Sequence, residues 1–479
     1  MNQNVVAHLP ATDATALVAP NGERLSFRQL KDQVDALAGG LRARGIEPGN
    51  RVVLLIPMSI ELYVTLLAVF HVGATATLVD PAADIQGLLC RYPPDAFIGV
   101  PKAHLLRLKV PALRGLQFYG STGFTPLPHC RIDRLSGPIT PVEPGIAPAL
   151  LTFTTGTTGQ PKAIGRSHAF LLGQHRVLHQ HMSFGEGDVD LPTLPVFLLH
   201  SLASGATCVI ADADLKHVGQ VNPEPVIRQM VRESVTSTSG SPAFFRAIVD
   251  HLINTDSTLP TLRHIYTGGA RVPATLVDDL ARVLPEVSLH VVYGSTEAEP
   301  IAVLDARAHR NELLHSGAQG ALVGSPVPDI AIRIDGEPFG EILVAGPHVN
   351  PGYVNDPKSD AEYKVKDGDT IWHRTGDVGK LDAHGNLWLV GRVGESVAGL
   401  WPLAVEGAAE AFAWVRRSGL VAIDEQPVLA VELQDAPSDW KDQLQAATGV
   451  IPTAIDSIPV DPRHNAKVDR RILGSLLRG

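Results

Sequence analysis

The sequence predicts an α/β protein in which doubly wound sheets come first, a β-rich subdomain second and a small α/β lobe last. Three observations carry this. Short, continuously apolar runs such as Val52-Val53-Leu54-Leu55-Ile56 suit strands buried on both faces of a parallel sheet. Such runs alternate with segments of helical periodicity, the pattern of repeated βαβ units. From Ile330 onward the texture shifts to short strands separated by glycine turns.

Each element follows in order. Ser26 precedes Phe27, after which apolar residues recur at helical spacing to Leu41, so Ser26 reads as an N-cap. The segment Gly45-Ile46-Glu47-Pro48-Gly49 is a turn before the 52–56 strand. The longest apolar stretch, Ile60 to Ala76, carries Glu61 and His71 and is too short and polar to span a bilayer, so a buried helix to Val72 is expected. A strand follows near 75–79. The alternation recurs at 206–211, at 235–237 before a helix from Pro242, at 262–267 and at 289–293. The β-rich part contributes 330–334, 340–344 and 387–390. A boundary after Gly391-Arg392 divides the chain into 1–392 and 393–479.

Composition narrows the class. A chain of 479 residues exceeds one ordinary core, and 44% hydrophobic with 19% charged residues describes a globular protein. The 44 glycines and 37 prolines are dispersed, which marks loops rather than disorder. A net charge of -10 and a pI near 6.0 argue against nucleic-acid binding, which calls for a basic face. The cysteines Cys90, Cys130 and Cys208 match no metal-ligand spacing and are expected as buried apolar residues in a reducing, cytoplasmic setting. Met1 to Pro10 lacks the basic start and apolar run of a signal peptide.

Four runs carry chemistry. In Thr154-Thr155-Gly156-Thr157-Thr158-Gly159-Gln160-Pro161-Lys162, glycines let backbone N–H groups turn toward an anion, hydroxyls add donors, and Lys162 supplies a charge for polyphosphate. Pro161 and Ala163 flank the lysine, so the NTPase P-loop motif is absent, and a plain polar turn is the alternative. In Val291-Val292-Tyr293-Gly294-Ser295-Thr296-Glu297, an apolar strand ends in groups that can stack on a base, contact phosphate and hold Mg²⁺. The alternative there is a strand end followed by a helix capped by Ser295 or Thr296. The third run is His373-Arg374-Thr375-Gly376-Asp377, followed by Arg392; Asp377 can accept bonds from two sugar hydroxyls. Between them, Asp382 to Asn386 reads as a hairpin turn. The fourth, Pro462-Arg463-His464-Asn465-Ala466-Lys467, has no intrinsic mark. His175, His179 and His181 lack the intervening carboxylate of a zinc-protease motif and read as helix-surface or substrate-pocket histidines.

In order and spacing, these runs resemble the acyl-adenylate-forming (AMP-dependent synthetase/ligase) superfamily from about Leu25 to Ile472. The resemblance implies a large adenylating domain and a small mobile C-terminal lobe. It implies that Thr154 to Lys162 bind the β- and γ-phosphates of ATP, and that Gly268-Gly269-Ala270 line the adenine. Tyr293 would stack on adenine beside Gly294, Thr296 contact the α-phosphate and Glu297 bind Mg²⁺. Asp377 would hold the ribose with help from Arg392, and Lys467 would bridge carboxylate and α-phosphate. The catalytic set is then Lys162, Thr296, Glu297 and Lys467, and the product is acyl-AMP with pyrophosphate.

Departures from the family pattern bear on the second product. Ala163 replaces a glycine, Leu198 and Leu199 follow Pro195-Val196-Phe197 where a histidine is usual, and Gly394 occupies the hinge position. Ser396 to Glu406 lacks the pattern that guides pantetheine. The stretches Asp188 to Thr193, Tyr293 to Ala302 and Arg463 to Lys467 are similar to β-lactone synthetases of olefin biosynthesis, which adenylate a β-hydroxy acid. Three outcomes stay open: closure to a β-lactone, an acyl-CoA thioester, or a nucleotide-binding sensor that has lost catalysis. CoA use, the acid's chain length, and assembly as a homo-oligomer or with pathway enzymes are likewise open. The acyl-pocket candidates are Phe197, Leu198, Leu199, His200, Ser239, Gly240 and Phe244.

Overall fold

A computed structural model describes all residues except 1–3, 81–82, 141, 143–144, 146, 155–160, 216–217, 316, 461–466 and 479. The chain forms two compact units: Met1–Val189 with Pro195–Ile210 and Asn350–Lys364, and Asp190–Leu194 with Ala211–Val349 and Val365–Gly479.

The first unit is built on a seven-stranded sheet in the order Cys130–Arg131, Phe118–Ser121, Ala96–Gly99, Arg51–Leu55, Thr75–Leu78, Leu150–Thr154, Lys162–Arg166. Every neighbouring pair is parallel except the last, an antiparallel hairpin. The 52–56 and 75–79 expectations hold to within a residue. Ser26 caps the helix Phe27–Arg42 in a full capping box with Gln29. That helix lies so close to the following chain that a Cβ on Gly39 would sit 1.9 Å from the Gly137 carbonyl oxygen. The helix Ile60–Val72 is buried at every position except Glu61 and stops at Gly73, whose φ of 82° is left-handed. Burial all round explains its lack of a polar face. Among the described residues no helix is long and apolar enough to cross a membrane.

The second unit holds a parallel run in which residues 190–192 of the strand Val189–Pro192, then Ser237–Gly240, His264–Gly268 and Ser288–Ser295, pair in turn. Antiparallel strands Ala298–Asp305 and Ala321–Pro326 follow, then Leu387–Arg392, Thr370–Leu381, Gly340–Ala345 and Ala331–Asp335. The turn at 382–386 joins two of these strands, and the Asp382 carboxylate accepts bonds from the His384 and Asn386 amides and the Trp388 indole. The C-terminal segment has a sheet of its own, Val415–Ile423, Gln426–Leu433 and Pro452–Ala454, with separate apolar clusters around Leu429 and Leu473.

Two expectations need correction. The strand read at 235–237 begins at Ser237 instead, because the Val235 amide bonds back to the Met230 carbonyl and closes the turn after the helix Pro223–Arg232. Of the three cysteines only Cys208 is buried. Cys90 is exposed on the short helix Ile85–Arg91, where the Gln86 amide donates to its sulfur at 2.9 Å; Cys130 is partly exposed on an edge strand.

Two predictions follow from this packing. Ser26→Ala should destabilise the protein by about 1 kcal/mol through loss of the N-cap, read as a lower urea midpoint. Burial pushes the imidazoles of His104, His168 and His175 down to about 4 and that of His200 to about 3. The unfolded chain therefore binds protons below about pH 6.5 that the folded chain refuses. Stability is full above that pH and should fall steadily toward pH 4. His200→Gln should flatten the slope of urea stability against pH.

Candidate active site

The candidate residues fall into one group in each unit. In the first unit, Thr154 faces Lys162 across the hairpin of Leu150–Thr154 and Lys162–Arg166. Thr155, Gly156, Thr157, Thr158 and Gly159 lie outside the described residues. The Thr154 hydroxyl oxygen is buried and has no hydrogen-bond partner among the described residues, so it suits an incoming phosphate oxygen. Lys162 is only 6% exposed. Its ammonium stands 3.2 Å from the centroid of the Tyr363 ring and 5.5 Å from that of Tyr353. A desolvated cation on an aromatic face gains about 2 kcal/mol, so the rings hold this charge at the hairpin's end. Tyr353 reaches it because it bridges Ile164 on the return strand. Sequence reasoning missed both tyrosines, which lie some 200 positions downstream of the loop. The unusual Ala163 is fully buried with Tyr92 and Leu151, so its methyl is a packing group.

In the second unit, three segments meet at Asp377. The Tyr293 hydroxyl donates to Oδ2 at 2.7 Å, and the Arg392 Nε lies 3.2 Å from Oδ1. Arg392 stands opposite Asp377 across a strand pair and also donates to the Thr375 carbonyl at 3.0 Å. The Asp377 amide donates to the Thr375 hydroxyl at 3.0 Å. Gly376 has φ +72°, and a Cβ there would lie 3.0 Å from the Arg392 guanidinium, which accounts for the glycine. Desolvation and the Asp377 carboxylate raise the Tyr293 phenol well above its ordinary pKa, so it remains a neutral donor.

Gly268 ends the strand beside that of Tyr293, opposite Val292, and a Cβ on it would sit 2.2 Å from the Val292 carbonyl oxygen. Gly269, at φ +79°, then turns the chain toward Ala270. Arg271, which the sequence did not single out, pairs with Glu410 of the helix Pro402–Glu410. Gly294 and Ser295 end the Tyr293 strand, and Thr296 and Glu297 form a tight turn in which the Glu297 amide donates to the Ser295 hydroxyl at 3.2 Å. The alternative of a capped helix fails here because the chain returns as the antiparallel strand Ala298–Asp305. Glu297 is half-exposed at this turn and offers hard carboxylate oxygens suited to Mg²⁺. Lys467 is exposed beside the bridge between Val460 and Val468, just before the helix Arg470–Arg478. Arg463 to Ala466 lie outside the described residues.

Of the acyl-pocket candidates, Phe197, Leu198 and His200 are buried on the helix Pro195–Ala203 of the first unit. Ser239, Gly240 and Phe244 belong to the second unit, where a Cβ on Gly240 would sit 3.0 Å from both the Phe244 ring and the Thr193 hydroxyl. His175 and His200 face each other with 2.9 Å between Nδ1 atoms, and His179 packs beside them. Among the described residues no three His, Cys, Asp or Glu side chains gather as a metal site.

The sheets of this α/β chain carry the candidate groups separately: the hairpin lysine in the first unit, the Asp–Tyr–Arg cluster and the glycine-lined strand end in the second. Residues 4–354 match the AMP-binding enzyme family, and the chain belongs to it. It is an AMP-forming acyl-adenylate ligase that uses ATP. Similar proteins include the olefin β-lactone synthetase of Stenotrophomonas maltophilia (strain K279a), 34% identical over 94% of this chain and 90% of that protein. The olefin β-lactone synthetase of Xanthomonas campestris pv. campestris is 31% identical over 98% of this chain and 96% of its own. The fold is shared with the amide bond synthetase McbA from Marinactinospora thermotolerans, at TM-score 0.85 and 22% identity over 100% and 99% of the two chains.

Tyr293→Phe removes one bond to the Asp377 carboxylate. Bonds to charged groups are worth about 1.5–3 kcal/mol, so KM for ATP in pyrophosphate release should rise about tenfold or more.

Proposed function

We propose that this chain adenylates a 3-hydroxy carboxylic acid and that the substrate's own hydroxyl then closes on the activated carboxyl. The observation that carries the reading is the likeness to two olefin β-lactone synthetases over nearly the whole chain. The absence of a pantetheine-guiding pattern in Ser396 to Glu406 supports it.

In the first step a carboxylate oxygen attacks the α-phosphorus, and the bond to pyrophosphate breaks. In the second the hydroxyl oxygen attacks the acyl carbon, the bond to AMP breaks, and the hydroxyl proton passes to solvent. Residues 154–162 hold the β- and γ-phosphates, with the Thr154 hydroxyl and the Lys162 ammonium as the described donors. Gly268, Gly269 and Ala270 line the adenine, and Tyr293 covers it. Tyr293 and Arg392 each engage a different oxygen of Asp377, and a carboxylate oxygen accepts more than one bond. Asp377 thus has capacity for two ribose hydroxyls. Thr296 contacts the α-phosphate. Glu297 would hold Mg²⁺, which neutralises phosphate charge in such transfers. Lys467, carried by a C-terminal lobe of 393–479, bridges the carboxylate and the α-phosphate, where charge develops. The enzyme works in the cytoplasm, without CoA.

ATP and a 3-hydroxy acid should give a β-lactone and AMP without CoA, as read by product mass spectrometry; strict dependence on CoA would overturn the lactone step. Lys467→Ala should lower pyrophosphate release at least about 100-fold, in line with losses seen when one charge-stabilising donor is removed. An unchanged rate would remove that lysine from the mechanism.

A further inference from the structure

We propose that the surface formed by residues 101–109 and 122–129 of the first unit is a peripheral docking face for an anionic lipid bilayer. Exposed apolar side chains and complementary charge carry the proposal, which does not rest on the function proposed above.

The chain has 50 Asp and Glu residues and a net charge of -10, yet no acid lies between Asp95 and Asp133. That stretch carries Lys102, Arg107, Lys109, Arg114 and Arg131. Arg131 pairs with Asp133, and among the described residues the other four form no ion pair. Lys102, Lys109 and Arg114 are exposed. An acidic chain is repelled by an anionic surface as a whole, so a local basic face attracts it in one orientation.

The apolar groups sit among these cations. Leu105 and Leu108 are 51% and 60% exposed, and Phe124, at 77%, is the most exposed large apolar side chain among the described residues. Leu105 ends the helical turn Pro101–Leu105 and Leu108 belongs to the turn Leu106–Lys109 that continues it, so the two share one side. The opposite side is anchored. His104 is fully buried with its ring edge-on to Phe97 at 5.0 Å, and Ala103 and Leu106 pack on the cluster around Val53 and Phe97.

The loop bearing Phe124 is pinned to this segment at both ends. A Cβ on Gly123 would lie 2.8 Å from the Pro101 ring. Arg107 donates to the Pro128 carbonyl at 2.8 Å, and its guanidinium carbon lies 3.5 Å from the centroid of the Tyr119 ring. The His129 ring stands between Phe124 and His104, 6.1 Å from each. Pro126 and Pro128 restrict the backbone further. An aromatic already held in place loses little conformational freedom on insertion. Lysine and arginine stems lie along apolar surface while their heads reach phosphate, and such a mixture suits a segment that lies on a bilayer without crossing it.

Other occupants fit less well. A two-fold contact between copies would set Lys102, Lys109 and Arg114 against the same cations. A stable protein partner calls for about 800 Å² per side. Three projecting side chains supply a fraction of that, whereas a fluid lipid surface closes around each one.

The test is co-sedimentation of the full chain with vesicles of equal parts phosphatidylglycerol and phosphatidylcholine, against phosphatidylcholine alone. The chain should bind only the anionic vesicles, and added salt should release it. Phe124→Ser should weaken binding about tenfold or more, and Lys102→Gln with Lys109→Gln about fivefold for each charge. Lys441→Gln, an exposed lysine of the second unit, should bind as the unaltered chain does. The urea midpoint and pyrophosphate release without vesicles should stay unchanged in all variants, because every altered side chain is exposed. Failure to bind anionic vesicles, or an equal loss with Lys441→Gln, overturns the proposal. If sedimentation velocity shows self-association that Phe124→Ser abolishes, the face joins two copies. If polyglutamate binds this face and the vesicles do not, the partner is an acidic protein. Either result also overturns the bilayer assignment.

Discussion

The Asp377 carboxylate draws together segments that the sequence keeps far apart. Tyr293 lies 84 positions away, yet its hydroxyl is 2.7 Å from Oδ2. Arg392 approaches the other oxygen from the neighbouring strand. A half-buried carboxylate needs such partners, because partial desolvation weakens its hydration and only charge and hydrogen bonds replace it. The surrounding architecture follows from that need. Gly376 takes a left-handed φ of +72° beside the guanidinium, Gly268 must be glycine to lie flush on the Tyr293 strand, and Thr375 braces both the aspartate amide and the arginine.

The hairpin of the first unit uses a different device. Lys162 is buried on a hairpin and set against the faces of Tyr363 and Tyr353, so its position is governed by aromatic packing. A flexible, exposed lysine would lose more rotamer entropy on engaging any partner than one already held. Ala163, beside it, is a core residue, and its departure from the family pattern reflects packing against Tyr92 and Leu151.

The C-terminal segment is secured by charge as well as by its own apolar clusters. Glu406 is buried, accepts the Leu420 amide at 2.9 Å and pairs with Arg470 at 2.9 Å. Burial raises its carboxyl above the ordinary value even so, because desolvation outweighs the arginine. Glu410, one turn further along the helix, meets Arg271 directly after the Gly268–Ala270 strand end.

Much of this was legible in one dimension. Continuously apolar strands, the Ser26 cap, the all-buried helix at 60–72 and the Asp382 turn are local patterns, written in neighbouring residues and read from them. The motif runs were legible as chemistry, and their joint order identified the family. The start of the 237–240 strand was not, because an apolar valine closes a helix end as readily as it begins a strand. Whether Thr296 starts a helix or turns a hairpin was equally open, since hydroxyls and carboxylates suit both. The exposure of Cys90 depended on which face of a short helix meets the core. Tyr353, Tyr363 and Arg271 carried no signal at all. Sequence alone determined the α/β class and the family, because propensity and motif chemistry are properties of contiguous residues. Only the tertiary structure decided which aromatic rings hold Lys162 and how Asp377 gathers Tyr293 and Arg392, because those contacts join residues whose separation in the chain says nothing about their distance in space.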